Sequence, residues 1–280
     1  MPAGAADHTA CGRTGGVDTA APPVYLGARR DAPHRVRPNP ADRDAPAGLA
    51  SLTLLGGFEL ICDGTTAAMP LSAQRVIAFL ALSGRRQARA YVAGQLWTGA
   101  SEARAASALR TAVWRAGVHG DVLRGDANNL ALNAAVEVDV DLLARAANAV
   151  IGGDGGDGGL DGMLALRDAG DLLPGWYDDW VLVEQERVRQ LRVHALERLC
   201  HALAEEGRHA DAVQAGLAAL ACDPLRESAH RALVAAHLAH GNVADALRQY
   251  ATCRDLLARN LGLAPSAQLQ CLVAAHQLAA

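Results

Sequence analysis

Two segments, EGRHADAVQAGLAALACDP at 206–224 and HGNVADALRQYATCRDLLA at 240–258, align at a constant offset of 34 residues. Gly207 falls on Gly241, Ala210 on Ala244 and Ala212 on Ala246. A unit this short cannot bury its own apolar face, so it must stack on a neighbour. The C-terminal part of the chain is therefore expected to be an array of paired helices. Ala212 and Ala246 are small where two helices of one repeat would cross closely, and Pro224 closes the first copy. The second copy closes late, at Pro265.

The offset is that of tetratricopeptide repeats, and residues 138–280 read as helix almost throughout. VDLLARAANAVI is one helix, and GGDGGDGG at 152–159 is a flexible connector. LLPGWYDDWVLVEQERVRQLRVHALERL is a turn followed by a long helix, with Asp178 or Asp179 near its start. Acidic residues early and Arg later suit the helix dipole. Aromatics make up only 4% of the chain while Ala and Leu abound, which favours helices over sheets.

Upstream the pattern changes. Residues 1–48 are rich in Pro, Gly, Ala, Asp and Arg without periodicity, and are expected to be a disordered tail. Order is expected from Leu49. LASLTLLGGFELICDG holds apolar, β-rich runs broken by Gly56-Gly57 and the Asp63-Gly64 turn signal, so two short antiparallel strands follow. MPLSAQRVIAFLALSG switches to helical spacing, with Val76, Ile77, Leu80 and Ala81 on one face, Ser72 as N-cap and Gly84 as stop. RAYVAGQLW is a second, shorter helix, and residues 101–117 are a third. DVLRGDANNLALNAAVEV places two strands around Gly125-Asp126-Ala127-Asn128-Asn129, which is turn chemistry. Strands, three helices and a hairpin define a winged helix-turn-helix. The expected fold class is mainly α: a winged helix-turn-helix with small sheets over 49–137, then an all-α tetratricopeptide-like domain over 138–280.

The formal net charge of −4 hides an uneven distribution. Residues 71–124 carry 8 Arg against 2 acidic residues, whereas residues 138–280 carry 12 Arg against 19. All 26 basic residues are Arg. One basic segment thus sits in a weakly acidic chain, the footprint of a local polyanion site.

The third helix, EARAASALRTAVWRAG, has two sides. With Arg104 set at zero, Arg115 falls at about 20°, Thr111 at about 340° and Ser107 at about 300° around the axis. Ala105, Ala106, Leu109, Ala112, Val113 and Ala116 gather on the opposite side, between about 80° and 200°. Arg110 and Trp114 border the polar side. A helix entering a major groove needs an apolar back to bury and a front of donors, Arg for guanine edges and phosphates, Ser and Thr for either. The plainer alternative is a solvated helix face. Two neighbours favour DNA: Arg85, Arg86 and Arg89 precede the second helix, where such folds meet phosphates, and Arg124 lies at the base of the wing.

No catalytic constellation is found. No GxxxxGK[ST] exists, and without Lys a P-loop is excluded. The ten His form no HExxH or Cys–His set, and the six Cys form no CxxC pair, so satisfied histidines and buried free thiols are expected. Asp178-Asp179 among Trp176, Tyr177 and Trp180 reads as a helix start packed by aromatics rather than a sugar or acid–base site. The N-terminus lacks the apolar core of a signal peptide and no apolar run is long enough to cross a bilayer, so a cytoplasmic protein without membrane contact is expected.

These residues resemble two modules of one family. LTLLGGFELICDG, LSAQRVIAFLALSGR, YVAGQLW, ASALRTAVWRA and VDVDLLARAA resemble the OmpR-like DNA-binding half of the Streptomyces antibiotic regulatory protein (SARP) family. GRHADAV, DPLRESAHRALVAAHLAHGNVADALRQY and LGLAPS, in that order, resemble its bacterial transcriptional activation domain. The resemblance implies an activator that binds direct repeats in promoter DNA, pairs into a homodimer at least on DNA, and contacts RNA polymerase through its sigma factor or alpha subunit. It implies no enzyme activity and no cofactor. Arg104, Ser107, Arg110, Thr111 and Arg115 become groove and backbone candidates, Arg89 a phosphate candidate, and Arg124, Asn128 and Asn129 the wing. The family's wing usually carries a Gly-Tyr pair and more basic charge, where this chain has RGDANNL. A rival of another class is a protein-interaction adaptor that uses the tetratricopeptide-like groove and does not bind DNA.

Overall fold

The computed structural model describes residues 50–84, 86–152 and 159–277. The expected tail, Cys11, Arg85 and most of the 152–159 connector lie outside the described residues.

Strands β1 (Ser51–Thr53) and β2 (Glu59–Cys62) pair antiparallel, with Leu52 opposite Leu60. Asp63 and Gly64 both take positive φ, 49° and 74°, the hairpin geometry that Asp-Gly adopts at low cost. They return the chain into β3 (Thr65–Thr66). Helix α1 (Leu71–Ser83) follows and ends at Gly84. Ser72 is not its cap. Pro70 holds that position and its carbonyl accepts the N–H groups of Ala73 and Gln74, so Ser72 lies inside the first turn. The Arg-rich stretch after α1 is itself a strand, β4 (Arg86–Ala88), which composition did not predict. Helices α2 (Arg89–Leu96) and α3 (Glu102–Gly117) and strands β5 (Leu123–Gly125), β6 (Asn129–Leu132) and β7 (Glu137–Val138) complete the winged helix. One sheet runs β3-β2-β1-β7, with β7 parallel to β1; the other runs β4-β6-β5 and carries the wing hairpin.

Among the described residues seven helices follow: α4 (Asp139–Gly152), α5 (Gly159–Asp168), α6 (Asp179–Glu205), α7 (His209–Cys222), α8 (Glu227–Ala239), α9 (Val243–Leu261) and α10 (Ala267–Gln277). From α6 onward each packs on the next, as the 34-residue offset requires. Ala212 and Ala246 are both buried. The fold is a winged helix-turn-helix followed by an all-helical, tetratricopeptide-like array. Among the described residues, no helix is long and apolar enough to cross a membrane.

The described residues belong to one compact unit, and its largest core crosses from the winged helix into the array. Leu52, Leu60, Ile77 and Leu109 share that core with Val181, Val188 and Leu196 of α6 and Ala219 of α7. Two smaller clusters continue outward, one around Cys200, Ala212 and Ala232, the next around Cys253, Leu257 and Leu269. The aromatics before α6 are consumed at this junction. Trp180 meets Phe79 edge-on at 5.2 Å between ring centroids, and Trp176 stacks on Phe58 at 6.3 Å. Asp178 precedes α6 but does not cap it, because its carboxylate is bonded to the guanidinium of Arg75 on α1. Backbone pairing adds to the seam: Gly56 N–H donates to Asp171 O and Leu173 N–H to Leu54 O, each at 2.8 Å.

All five described cysteines are free. Burial pushes the Cys200 thiol up to about 12 and the Cys253 thiol up to about 11, so both stay protonated and unreactive at neutral pH. Cys271, by contrast, is exposed.

Candidate nucleic-acid interface

Alternation of small apolar and polar residues gives α3 its two sides. Ala105, Leu109, Ala112 and Ala116 are buried against α1 and α2, while Arg104, Ser107, Arg110, Thr111 and Arg115 are all exposed. The alanines let α3 lie close to its neighbours, and its outer face stays exposed. Arg104, Arg110 and Arg115 have no acidic or hydrogen-bonding side-chain partner among the described residues. Three uncompensated guanidiniums on one helix repel one another weakly and leave fifteen N–H donors facing water. Arg115 also lies in the last turn, where it complements the dipole. Thr111 is partly spent: its hydroxyl donates to the Ser107 carbonyl at 3.1 Å, leaving its oxygen as an acceptor.

The wing is organised by a residue that sequence reasoning treated only as turn chemistry. Asp126 Oδ1 accepts the backbone N–H groups of Asn128 at 2.8 Å and Asn129 at 2.7 Å. Those two bonds, chiefly, hold its carboxyl below the usual carboxylate range. Its Oδ2 accepts from Arg86 at 2.7 Å. Arg89 reaches the same turn. Its Nε donates to the Asp126 carbonyl at 2.8 Å and its own N–H to the Asn128 carbonyl at 2.8 Å. The structure therefore brings Arg89, Asn128 and Asn129 together around Asp126. Asn128 is exposed and Asn129 half-buried, and Arg89 is half-buried with its two terminal nitrogens unbonded among the described residues. Arg124 stands exposed on β5, opposite Ala131. The signal for the Asp126 role was in the sequence, since an Asp in a turn can accept the backbone N–H two residues on.

Between α2, α3 and this turn lies a cleft of about 640 Å³, lined by Arg89, Ala93, Gly94, Trp97, Ala106 and Arg110 among others. Small side chains leave that space open. The arrangement presents a helix face with exposed cations, a groove beside it, and a hairpin pinned to the N-terminus of the second helix. It can hold a polyanion; it contains no nucleophile–base pair. Among the described residues, no group of three or more His, Cys, Asp or Glu side chains is placed to hold a metal.

Behind this face, in the helical array, residues 165–275 match the bacterial transcriptional activator domain. The chain is similar to the regulatory protein AfsR of Streptomyces coelicolor, with 29% identity over 250 residues. That match covers 85% of this chain and 25% of AfsR, so the chain spans about a quarter of the curated relative. Its fold is similar to that of Mycobacterium tuberculosis EmbR, solved in complex with a low-affinity phosphopeptide. The TM-score is 0.62 at 22% identity, covering 80% of this chain and 64% of that one.

Proposed function

We propose that the chain is a cytoplasmic, sequence-specific promoter-binding activator. Residues 49–137 form its DNA module, residues 138–280 its pairing and polymerase-contacting module, and residues 1–48 a tail. The observation that carries this reading is the front of α3, where Arg104, Arg110 and Arg115 stand exposed without acidic partners among the described residues. Arg75, Arg189 and Arg226, by contrast, are each paired with an acidic side chain. In this reading α3 lies in the major groove, and the terminal nitrogens of Arg89 meet a phosphate beside it. The Arg124 hairpin follows the flanking minor groove. Two protomers on a direct repeat compensate for a modest single footprint. The helical array then offers its surface to the sigma factor or alpha subunit of RNA polymerase. The mechanism is non-catalytic.

One observation favours the adaptor alternative: Asp126 brings an acidic group to the wing and occupies Arg86. A gel shift on DNA upstream of the protein's own coding region separates the two. The regulator reading expects a retarded complex that weakens with salt and needs much more protein to form when Arg104 and Arg115 are both replaced by Ala. A complex unchanged by that double substitution, or none at any salt, supports the adaptor.

A further inference from the structure

The exposed face of α3 is more than three cations. In helical projection Ser107, Thr111, Trp114 and Val118 fall within about 60° of one another, down the centre of that face. Arg104 and Arg115 flank this line on one side and Arg110 on the other. Trp114 is 71% exposed and Val118 66% exposed. The Trp114 ring takes part in none of the aromatic contacts that engage Trp176 and Trp180, and its indole N–H has no partner among the described residues. Leaving an indole in water forgoes the burial that ring packing gives Trp176 and Trp180. Trp114 and Val118 together give that face an apolar centre between its cations.

The rails fix which partner that centre takes. Anything seated on Trp114 also faces Arg104, Arg110 and Arg115, so it must be strongly anionic at its edges and apolar in its middle. A DNA major groove has that profile: phosphates along both walls, and the thymine C5-methyl as the apolar group on its floor. From Ser107 to Val118 the helix advances about 16 Å, enough to follow roughly five base pairs. Resting on the promoter-binding reading above, we infer that Trp114, with Val118 beside it, selects thymine in the half-site. The indole lies against a thymine methyl while the arginines hold the two phosphate walls.

The test uses the full chain and a random duplex library. Wild-type protein selects a duplex, and each thymine of that duplex is then replaced by uracil, which removes the methyl group alone. At one or two positions the wild type loses about fourfold in affinity, the yield of burying a single methyl group. Trp114→Ala binds the parent duplex more weakly and is indifferent to uracil at those same positions. Trp114→Phe, which keeps an aromatic ring, retains part of the methyl preference and provides the same comparison should the Ala variant lose its helical circular dichroism. The inference is overturned if uracil at every position leaves the wild type unaffected, or if wild type and Trp114→Ala lose equally. A wild type that enriches no duplex at all overturns the promoter-binding reading itself, an outcome distinct from enrichment without methyl dependence.

Discussion

Asp139, the first residue of α4, accepts the backbone N–H of Leu54 through both carboxylate oxygens, at 3.0 and 2.9 Å. It also accepts the N–H of Leu55 at 2.9 Å. The end of β1 is thereby tied to the start of the helical half, across 85 residues of chain. Leu54 is fully buried, so its N–H has no water to turn to. Burial pushes the Asp139 carboxyl above its ordinary value, against the pull of the backbone donors. Asp139→Ala is expected to destabilise the fold by about 2–4 kcal/mol, since each orphaned buried donor costs roughly 1–3 kcal/mol. Asp139→Asn keeps one acceptor oxygen and removes the buried charge, so it should cost less. Urea unfolding of the three proteins checks the order.

Asp126 sets two effects against each other on the wing. Its carboxylate holds the turn, yet it places negative charge where DNA backbone is expected. Asp126→Asn retains an acceptor for the Asn128 and Asn129 N–H groups and releases Arg86, so DNA affinity should rise by roughly two- to fivefold, the scale of one exposed charge. Asp126→Ala removes the acceptor as well, and should bind less tightly than Asp126→Asn. Fluorescence anisotropy with a labelled duplex ranks the three.

Gly170 lies against the strand turn of the winged helix. A Cβ placed on it would sit 2.9 Å from both the Cα and the N of Gly56, which is backbone and cannot swing aside. Gly170→Ala should therefore destabilise by about 1–3 kcal/mol through overpacking, and loosen the pairing of residues 54–56 with 171–173. Thermal unfolding gives the first, and amide exchange at Gly56 and Leu173 gives the second.

His230 on α8 couples stability to pH. Its Nε2 contacts the Pro224 carbonyl at 2.9 Å and its Nδ1 contacts Gln249 Nε2 at 2.6 Å. The neutral ring with the proton on Nε2 donates to the first and accepts from the second. Burial, the largest effect, lowers its affinity for a proton below the ordinary 6.5. On acidification the unfolded chain therefore binds the proton first. The stability this group contributes is present above pH 6.5 and is lost as pH falls through that value toward the folded-state pKa. Urea midpoints between about pH 7.5 and about pH 5.5 should fall, and the fall should be smaller for His230→Gln. His237, also lowered by burial, accounts for part of the remainder.

Periodicity carried much of the architecture because it reports burial directly. The 34-residue offset of Gly207 and Gly241 implied stacked hairpins, and the alternation in α3 placed Ala105, Leu109, Ala112 and Ala116 inward. What it missed depends on partners distant in sequence. β7 is two residues that become a strand only beside β1, and β4 only beside β6. Ser72 had the chemistry of a cap, but Pro70 starts the helix earlier, with its fixed φ and a carbonyl free to accept. The wing residues Arg124, Asn128 and Asn129 were read one by one. Their geometry depends on Asp126, which a local reading treats as one more turn residue.

The outer face of α3 is expected to hold duplex DNA through its guanidinium groups. The slope of log affinity against log salt tests it most directly, measured for the wild type and for the variant with Arg104, Arg110 and Arg115 all replaced by Ala. The variant's slope is expected to be shallower by about 0.9 for each phosphate no longer neutralised, so by roughly 1–3 in total, with the fold intact by circular dichroism. A triple variant that binds the same duplex with the wild-type affinity and slope would contradict it.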